Sequence, residues 1–374
     1  MSIRLPEELE VEVYRCFRCG YCRAQCPIFK VKQNESWNTR GRMILIKSLI
    51  EGNLKASPSV LDRLYCCSLC KACENSCPAV VRLYDVYERV RECLIEQKLG
   101  PLERHERIAR DILAEGNPFG QPRAQRSSSF QRKDSRQAEI LFFVGCVSAY
   151  RKPNIVKSVE KILTATNTDY TTLGARELCC GSVLMRTGQI RAAEKLAQQN
   201  TRLFKELKIQ KILTVCPGCY LTLKADYPKL VKDFPFEVLH VSEFLHQLLQ
   251  KGKLQLTKQV ELKVTYHDPC HIGRRFNLYE PPRTLLSSIP GLKLKEMPHN
   301  RENARCCGAG GGVKSAFSET ALKIGISRME EAAQTEADLL VTSCPFCCIN
   351  LTDASHQAQL LPVSDLTEII AEAI

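Results

Sequence analysis

Cysteine placement constrains this chain more than any other feature. Cys16-Phe-Arg-Cys19-Gly-Tyr-Cys22-Arg-Ala-Gln-Cys26-Pro27 and Cys67-Ser-Leu-Cys70-Lys-Ala-Cys73-Glu-Asn-Ser-Cys77-Pro78 are two complete C-x2-C-x2-C-x3-C-P runs. In such a run three thiolates wrap one corner of a 4Fe-4S cubane, and the fourth, followed by proline, reaches the other cluster. The spacing therefore predicts one cubane on Cys16, Cys19, Cys22 and Cys77, and another on Cys67, Cys70, Cys73 and Cys26. Zinc also uses C-x2-C pairs, but a tetrahedral zinc does not call for four cysteines in this spacing twice over, each closed by proline.

The chain has 374 residues, 21 of them Cys, which is room for two or three globular units. Met1 to Pro6 leads straight into an acidic stretch with no apolar signal-peptide core, so a cytoplasmic location is expected and dense cysteine points to metal ligation rather than disulfides. The longest apolar runs, 44–50 and 140–147, fall far short of the roughly 20 residues that a membrane-spanning helix needs. Any membrane association is then expected through a partner protein. The formal charge of +12 would ordinarily raise a nucleic-acid hypothesis. Each 2+ cubane on four thiolates carries about −2, so two clusters already remove about 4 charges, and no nucleic-acid partner is expected.

Between the two runs, Met43, Ile46 and Ile50 at helical spacing, with Gly52-Asn53 as a stop, predict a helix over 39–53. Cys66 and Cys93, the latter on a predicted helix over 84–97, have no place in the ligand pattern and read as buried structural thiols. From 117 to 137 periodicity disappears and Pro, Gly, Ser, Gln and Arg accumulate, which reads as a linker whose Arg123, Arg126, Arg132, Lys133 and Arg136 are solvated.

Beyond the linker lies a tandem duplication. Cys146, Cys179-Cys180-Gly181 and Cys216-Pro-Gly-Cys219 recur as Cys270, Cys306-Cys307-Gly308 and Cys344-Pro-Phe-Cys347, displaced by 124, 127 and 128 residues. Val241-Ser242-Glu243-Phe244 and Val363-Ser364-Asp365-Leu366, 122 residues apart, each predict the opening of a helix. Strand-like runs at 140–144, 211–215, 261–266 and 338–342 each deliver a cysteine just past their ends. Helical patterns carried by Ile190, Ala193, Ala197, Phe204 and Leu207, and by Leu322, Ile326, Met329 and Ala333, alternate with them. The expected organisation is a helical two-cluster domain at 1–116, a linker at 117–137, and two α/β domains at 138–257 and 258–374, α+β overall. Sites in such α/β units gather at the carboxyl ends of strands.

The spacing Cys, then Cys-Cys-Gly, then Cys-Pro-x-Cys resembles the cysteine-rich CCG domain. Its fusion to two ferredoxin-type runs resembles the D-type subunit of heterodisulfide reductase, and also the related iron-sulfur subunits of glycolate, lactate and glycerol-3-phosphate dehydrogenases. His267-Asp268-Pro269-Cys270-His271 and Cys306-Cys307-Gly308-Ala309-Gly310-Gly311-Gly312 resemble family strings as well. The resemblance implies an N-terminal ferredoxin-like domain and a duplicated, Rossmann-like CCG module, each half holding a non-cubane 4Fe-4S cluster on five cysteines. Those sets are Cys146, Cys179, Cys180, Cys216 and Cys219, and Cys270, Cys306, Cys307, Cys344 and Cys347. It further implies a disulfide substrate cleaved between the two clusters, so that these ten cysteines are the catalytic set. The alternative is an electron relay from a flavin-dependent dehydrogenase to quinone or another redox carrier, and a structural zinc is the alternative occupant of a CCG site.

The chemistry of the residues is compatible. Neighbouring cysteines serve a compact cubane poorly, so Cys-Cys pairs argue for an unusual cluster or a bimetallic site. Gly181, Gly308, Gly310 and Gly311, with Gly312, are expected where backbone approaches the metal, their N–H groups facing sulfide charge. No G-K-[ST] follows, which removes a phosphate cradle. His267, His271 and His299 are expected to hydrogen-bond backbone or cluster sulfur, with proton donation the alternative. Cys348 reads as a packed thiol at a helix start. No G-x-G-x-x-G follows a strand and no flavin signal is present, so a flavoprotein, a further iron-sulfur protein or a cytochrome is the expected partner, docking near Arg18, Arg23 and Lys71.

Overall fold

The computed structural model describes residues 3–129 and 138–374. The chain up to Glu115 is helical, and the region from 138 onward carries two four-stranded, all-parallel sheets. The fold is thus α+β, with the α/β unit duplicated.

In the first half β1 (Ile140–Phe142), β2 (Tyr170–Thr171), β3 (Lys211–Thr214) and β4 (Glu237–His240) lie in the order β2-β1-β3-β4. The second half repeats this with β5 (Lys263–His267), β6 (Lys293–Lys295), β7 (Leu339–Thr342) and β8 (Val363–Asp365), in the order β6-β5-β7-β8. The central strands read as apolar runs because helices cover both faces of the sheet. The other four strands, two to four residues long, lacked that signal. Val363 to Asp365 is strand, and the following helix begins at Leu366. Capping boxes identify the equivalent helix starts as His240 with Glu243 and Asp365 with Glu368, 125 residues apart rather than 122.

One hydrophobic core crosses the duplication. Val159 and Ile162 from Pro153–Ala165, Phe244 and Leu245 from Val241–Gln250, Leu285 and Leu286 from Glu280–Ser287, and Ile369 and Ile370 from Leu366–Ala373 belong to it. The halves therefore bury their helices against each other. A separate core built on Met43, Ile46, Tyr65, Val86, Val90 and Leu94 supports the helical module. Its helices Thr39–Ile50 and Leu83–Glu96 fall within three residues of their predicted ends.

The segment read as a linker is corrected by the structure as far as it is described. Asn117 is buried; its amide donates to the Gln121 carbonyl (2.7 Å) and its oxygen accepts the Phe119 N–H (3.1 Å). Arg123–Ser129 forms a 3-10 helix, and Arg126 is buried rather than solvated. Side-chain-to-backbone bonds, not an apolar repeat, hold this stretch, which is why periodicity missed it. Arg132, Lys133 and Arg136 lie outside the described residues.

Candidate metal centres

In the helical module each C-x2-C-x2-C loop turns into a short helix, and its fourth cysteine comes from the opposite run. Cys16, Cys19, Cys22 and Cys77 line one small cavity. Cys26, Cys67, Cys70 and Cys73 line another, beside Arg42, Tyr84 and Tyr87. Cys26 is the N-cap of Pro27–Lys32 and Pro27 its first residue, where a missing N–H costs nothing. Burial, and then Cys16 and Cys19 beside it, pushes the Cys22 thiol up to about 11. Crowded thiols of this kind suit a cationic cluster core that relieves their mutual repulsion. The first, outer set includes the exposed Cys19; the second, inner set includes the buried Cys26 and Cys70.

In the duplicated module β1, β3, β5 and β7 end just before Cys146, Cys216, Cys270 and Cys344, and the Cys-Cys pairs follow the loops after β2 and β6. Cys179 hydrogen-bonds Cys146 and Cys180; Cys180 and Cys216 each hydrogen-bond Cys219. In the second half Cys306 contacts Cys270 and Cys307, and Cys347 contacts Cys344 and, at 3.3 Å between sulfurs, Cys307. All ten are buried except Cys270, which is partly exposed. Cys216 and Cys344 are N-caps with proline at the next position, and the Cys344 sulfur accepts the Cys347 N–H (3.3 Å). The Gly181 N–H points at Cys179 Sγ (3.4 Å) and the Gly308 N–H at Cys306 Sγ (3.3 Å). Hydrogen bonds from Cys179 and then Cys219 bring the Cys180 thiol down to about 6, and bonds from Cys306 and Cys347 carry Cys307 down as well. Each set thus holds a thiol poised to ligate as thiolate.

Gly310 and Gly311 lie against the inner ferredoxin loop. A Cβ on Gly310 would sit 2.6 Å from the Ser68 carbonyl oxygen, and one on Gly311 2.2 Å from that of Cys67. Their bareness lets the second-half loop lie on the inner ferredoxin loop. There Cys70 hydrogen-bonds Cys306, and Cys306 Sγ lies 3.6 Å from Ser68 Oγ. Gly312 faces His105 in the same way.

His267 lies with Cys307 and Cys347, their ligand atoms within 4.8 Å of one another. Arg328 Nε donates to His267 Nδ1 (3.1 Å), which leaves Nε2–H for Cys307. The first half places Phe143 at the equivalent position, so the halves differ here. His271 is held neutral by burial, its pKa about 3, and His299 pairs with Glu331. Cys66, Cys93 and Cys348 are buried thiols outside the sets.

Sequence reasoning missed the buried arginines. Arg42, Arg91, Arg126, Arg186 and Arg328 are among the largest fully buried side chains, and Arg274 is nearly so. Arg42 lies beside Cys26 and Cys67, Arg126 beside Cys146, and Arg274 beside Cys70, Cys270 and Cys306. Three buried guanidinium groups thus stand beside the sulfurs. No local pattern marks a buried arginine; only the anionic sites themselves hint at one. Arg18 and Arg23 are exposed, whereas Lys71 is half-buried and paired with Glu74.

A helical module with two four-cysteine cavities, docked on a duplicated α/β module with two five-cysteine sets, defines an iron-sulfur oxidoreductase component. The 4Fe-4S dicluster domain matches residues 12–81, and the cysteine-rich CCG domain matches twice, at 140–224 and 264–352. The D-type subunit of the dihydromethanophenazine:CoB–CoM heterodisulfide reductase of Methanosarcina barkeri is 33% identical over 97% of this chain and 94% of its own length. The B-type subunit of the CoM/CoB fumarate reductase of Methanothermobacter marburgensis is 32% identical over 95% of this chain and 71% of its own. A hypothetical protein from Helicobacter pylori shares the fold at a TM-score of 0.63, with 12% identity, over 99% of this chain and 73% of its own. The chain belongs to the family of heterodisulfide reductase D-type subunits. Among the described residues no helix is long and apolar enough to cross a membrane.

Proposed function

We propose that this chain reduces a disulfide, RSSR′ + 2e⁻ + 2H⁺ → RSH + R′SH, with the electrons supplied by a partner redox protein and the protons by solvent. In this reading Cys16, Cys19, Cys22 and Cys77 hold one cubane, Cys26, Cys67, Cys70 and Cys73 another, and the two five-cysteine sets hold non-cubane 4Fe-4S clusters. Bound clusters would supply one-electron steps and iron able to take up sulfur. The observation that carries the reading is the completeness of both five-cysteine sets, with the inner ferredoxin set abutting the second through Cys70 and Cys306. Cys22 lies near Cys26, and Cys344 near Cys216, so the cysteine sets run in space as outer, inner, second half, first half.

The protein's own groups prepare this row. Arg42 and Arg274 offset thiolate charge, His267 aims its Nε2–H at Cys307, and Gly310 and Gly311 keep the inner and second-half loops in contact. A flavoprotein, a further iron-sulfur protein or a cytochrome would dock at the outer set, where Phe17, Tyr21 and Val80 are 75%, 68% and 73% exposed beside Arg18 and Arg23. The complex would be cytoplasmic and reach a membrane only through such a partner.

The test is Cys307→Ala in the intact complex. Loss of about 4 Fe, with both cubanes retained and disulfide reduction abolished, is expected. Retained electron transfer from the donor to an artificial acceptor without any disulfide reduction by the wild type would support an electron relay instead.

A further inference from the structure

The first-half set has a neighbour that the second lacks. Arg126, from the segment between the two modules, sends Nη2 to Cys146 Sγ at 3.1 Å, while its Nη1 donates to Glu177. Both side chains are buried, at 1% exposure. The Glu177 carboxylate also accepts the N–H of Val144 (2.9 Å) and of Gly145 (2.9 Å), the two residues leading into Cys146. Beneath them Gly145 is tight: a Cβ there would lie 3.2 Å from Cys219 Sγ, at a φ of +78°. The guanidinium also stacks 5.4 Å from the Tyr150 ring centre. One buried pair therefore fixes the loop that presents Cys146 and directs the positive end of a dipole at its sulfur.

The second half does this differently. Ala304 stands at the position equivalent to Glu177, two residues before the Cys-Cys pair. Arg274, which lies beside Cys270 and Cys306, sends its Nε and Nη1 to the carbonyls of Cys70, Glu302 and Ala304 rather than to sulfur. Hydrogen bonds to ligand sulfur and nearby charge are what a protein uses to set a cluster's potential.

We propose that Arg126 and Glu177 are positioning residues of the first-half site that set its reduction potential apart from that of the second, the arginine raising it and the glutamate moderating the rise. This rests on the reading of the ten cysteines as cluster ligands. It gives the stretch ahead of β1 a role in the site.

The experiment is an anaerobic redox titration of the full chain followed by electron paramagnetic resonance, with the first-half signal assigned by its loss in Cys180→Ala. Arg126→Gln should shift that signal to lower potential, Glu177→Gln should shift it to higher potential, and Arg126→Lys should stay nearer the wild type than Arg126→Gln; the other centres should not move. A purely structural pair would move both neutral variants the same way, through lost iron, and that result overturns the proposal. So do unchanged potentials in variants that keep their iron. If Arg126→Gln alone sheds iron, the sign of the Glu177→Gln shift still decides. A wild-type chain with no iron in the first half fails at the metal count, before any variant is compared, and overturns the ligand reading together with this one.

Discussion

Gly311 shows how a residue can be read as special from sequence while the neighbour that requires its bareness stays out of sight. Its position in a glycine string beside a Cys-Cys pair suggested close approach to metal, and the structure sets it against the Cys67 carbonyl of another module. Gly311→Ala, at a φ of +62°, should cost about 1–3 kcal/mol by overpacking and open the Cys70–Cys306 contact. Denaturant unfolding gives the first effect, and slower reduction of the duplicated module with cubane spectra intact gives the second. Cysteine identities were legible because ligand spacing is local chemistry written into the chain. The partners of those cysteines were not, since Arg42 and Arg126 reach the sulfurs across 16 or more residues, and Arg274, four residues past Cys270, also lies beside Cys306 and, from another module, Cys70. Cys26→Ala tests the exchange of fourth ligands. It should remove the cluster on Cys67, Cys70 and Cys73 and spare the one on Cys16, Cys19, Cys22 and Cys77, as iron content and cluster spectra would record.

At the scale of elements, the helix Glu103–Glu115 carries His105 into the contact between modules, where its Nε2 meets the Gly312 carbonyl at 3.0 Å. Burial, with Arg91 adding to it, lowers its pKa to about 4. The unfolded imidazole titrates near 6.5, so the unfolded chain binds the proton first as pH falls. The contribution is therefore complete above pH 6.5 and lost between there and 4, by roughly 2 kcal/mol at pH 5. Urea unfolding at pH 7 and pH 5 should show a smaller difference in His105→Gln than in the wild type; an equal difference would contradict the assignment. The central strands were legible from continuous apolar runs, and the long helices from their 3.6-residue period. Edge strands such as Tyr170–Thr171 are too short to show alternation, and the 117–129 stretch is held by Asn117 and Arg126, which no periodicity reports.

Across the whole molecule Arg91 ties the three parts together. Fully buried, it donates to the carbonyls of Leu64, Tyr65 and Cys67 in the helical module, of Arg186 in the first half and of Gly311 in the second, at 2.6–3.3 Å. Arg91→Met removes this donor from the carbonyls of Leu64, Cys67, Arg186 and Gly311, at about 1–3 kcal/mol each, whereas the Tyr65 carbonyl keeps the Cys67 N–H. The helical and duplicated modules should then unfold in two transitions by calorimetry, where the wild type shows one. The duplication itself was legible, but the spatial order of the cysteine sets was not: both halves pack on the helical module, yet its inner cysteine set meets the second-half set, through Cys70 and Cys306, and the first-half set faces the second through Cys216 and Cys344. Charge reversal at Arg18, as Arg18→Glu, should slow electron uptake from a purified acidic donor and leave iron content unchanged. The most direct test of the whole account is an anaerobic count of iron, sulfide and zinc. Four 4Fe-4S clusters require about 16 Fe per chain with negligible zinc, whereas about 8 Fe with one or two zinc would contradict the assignment of the ten CCG cysteines.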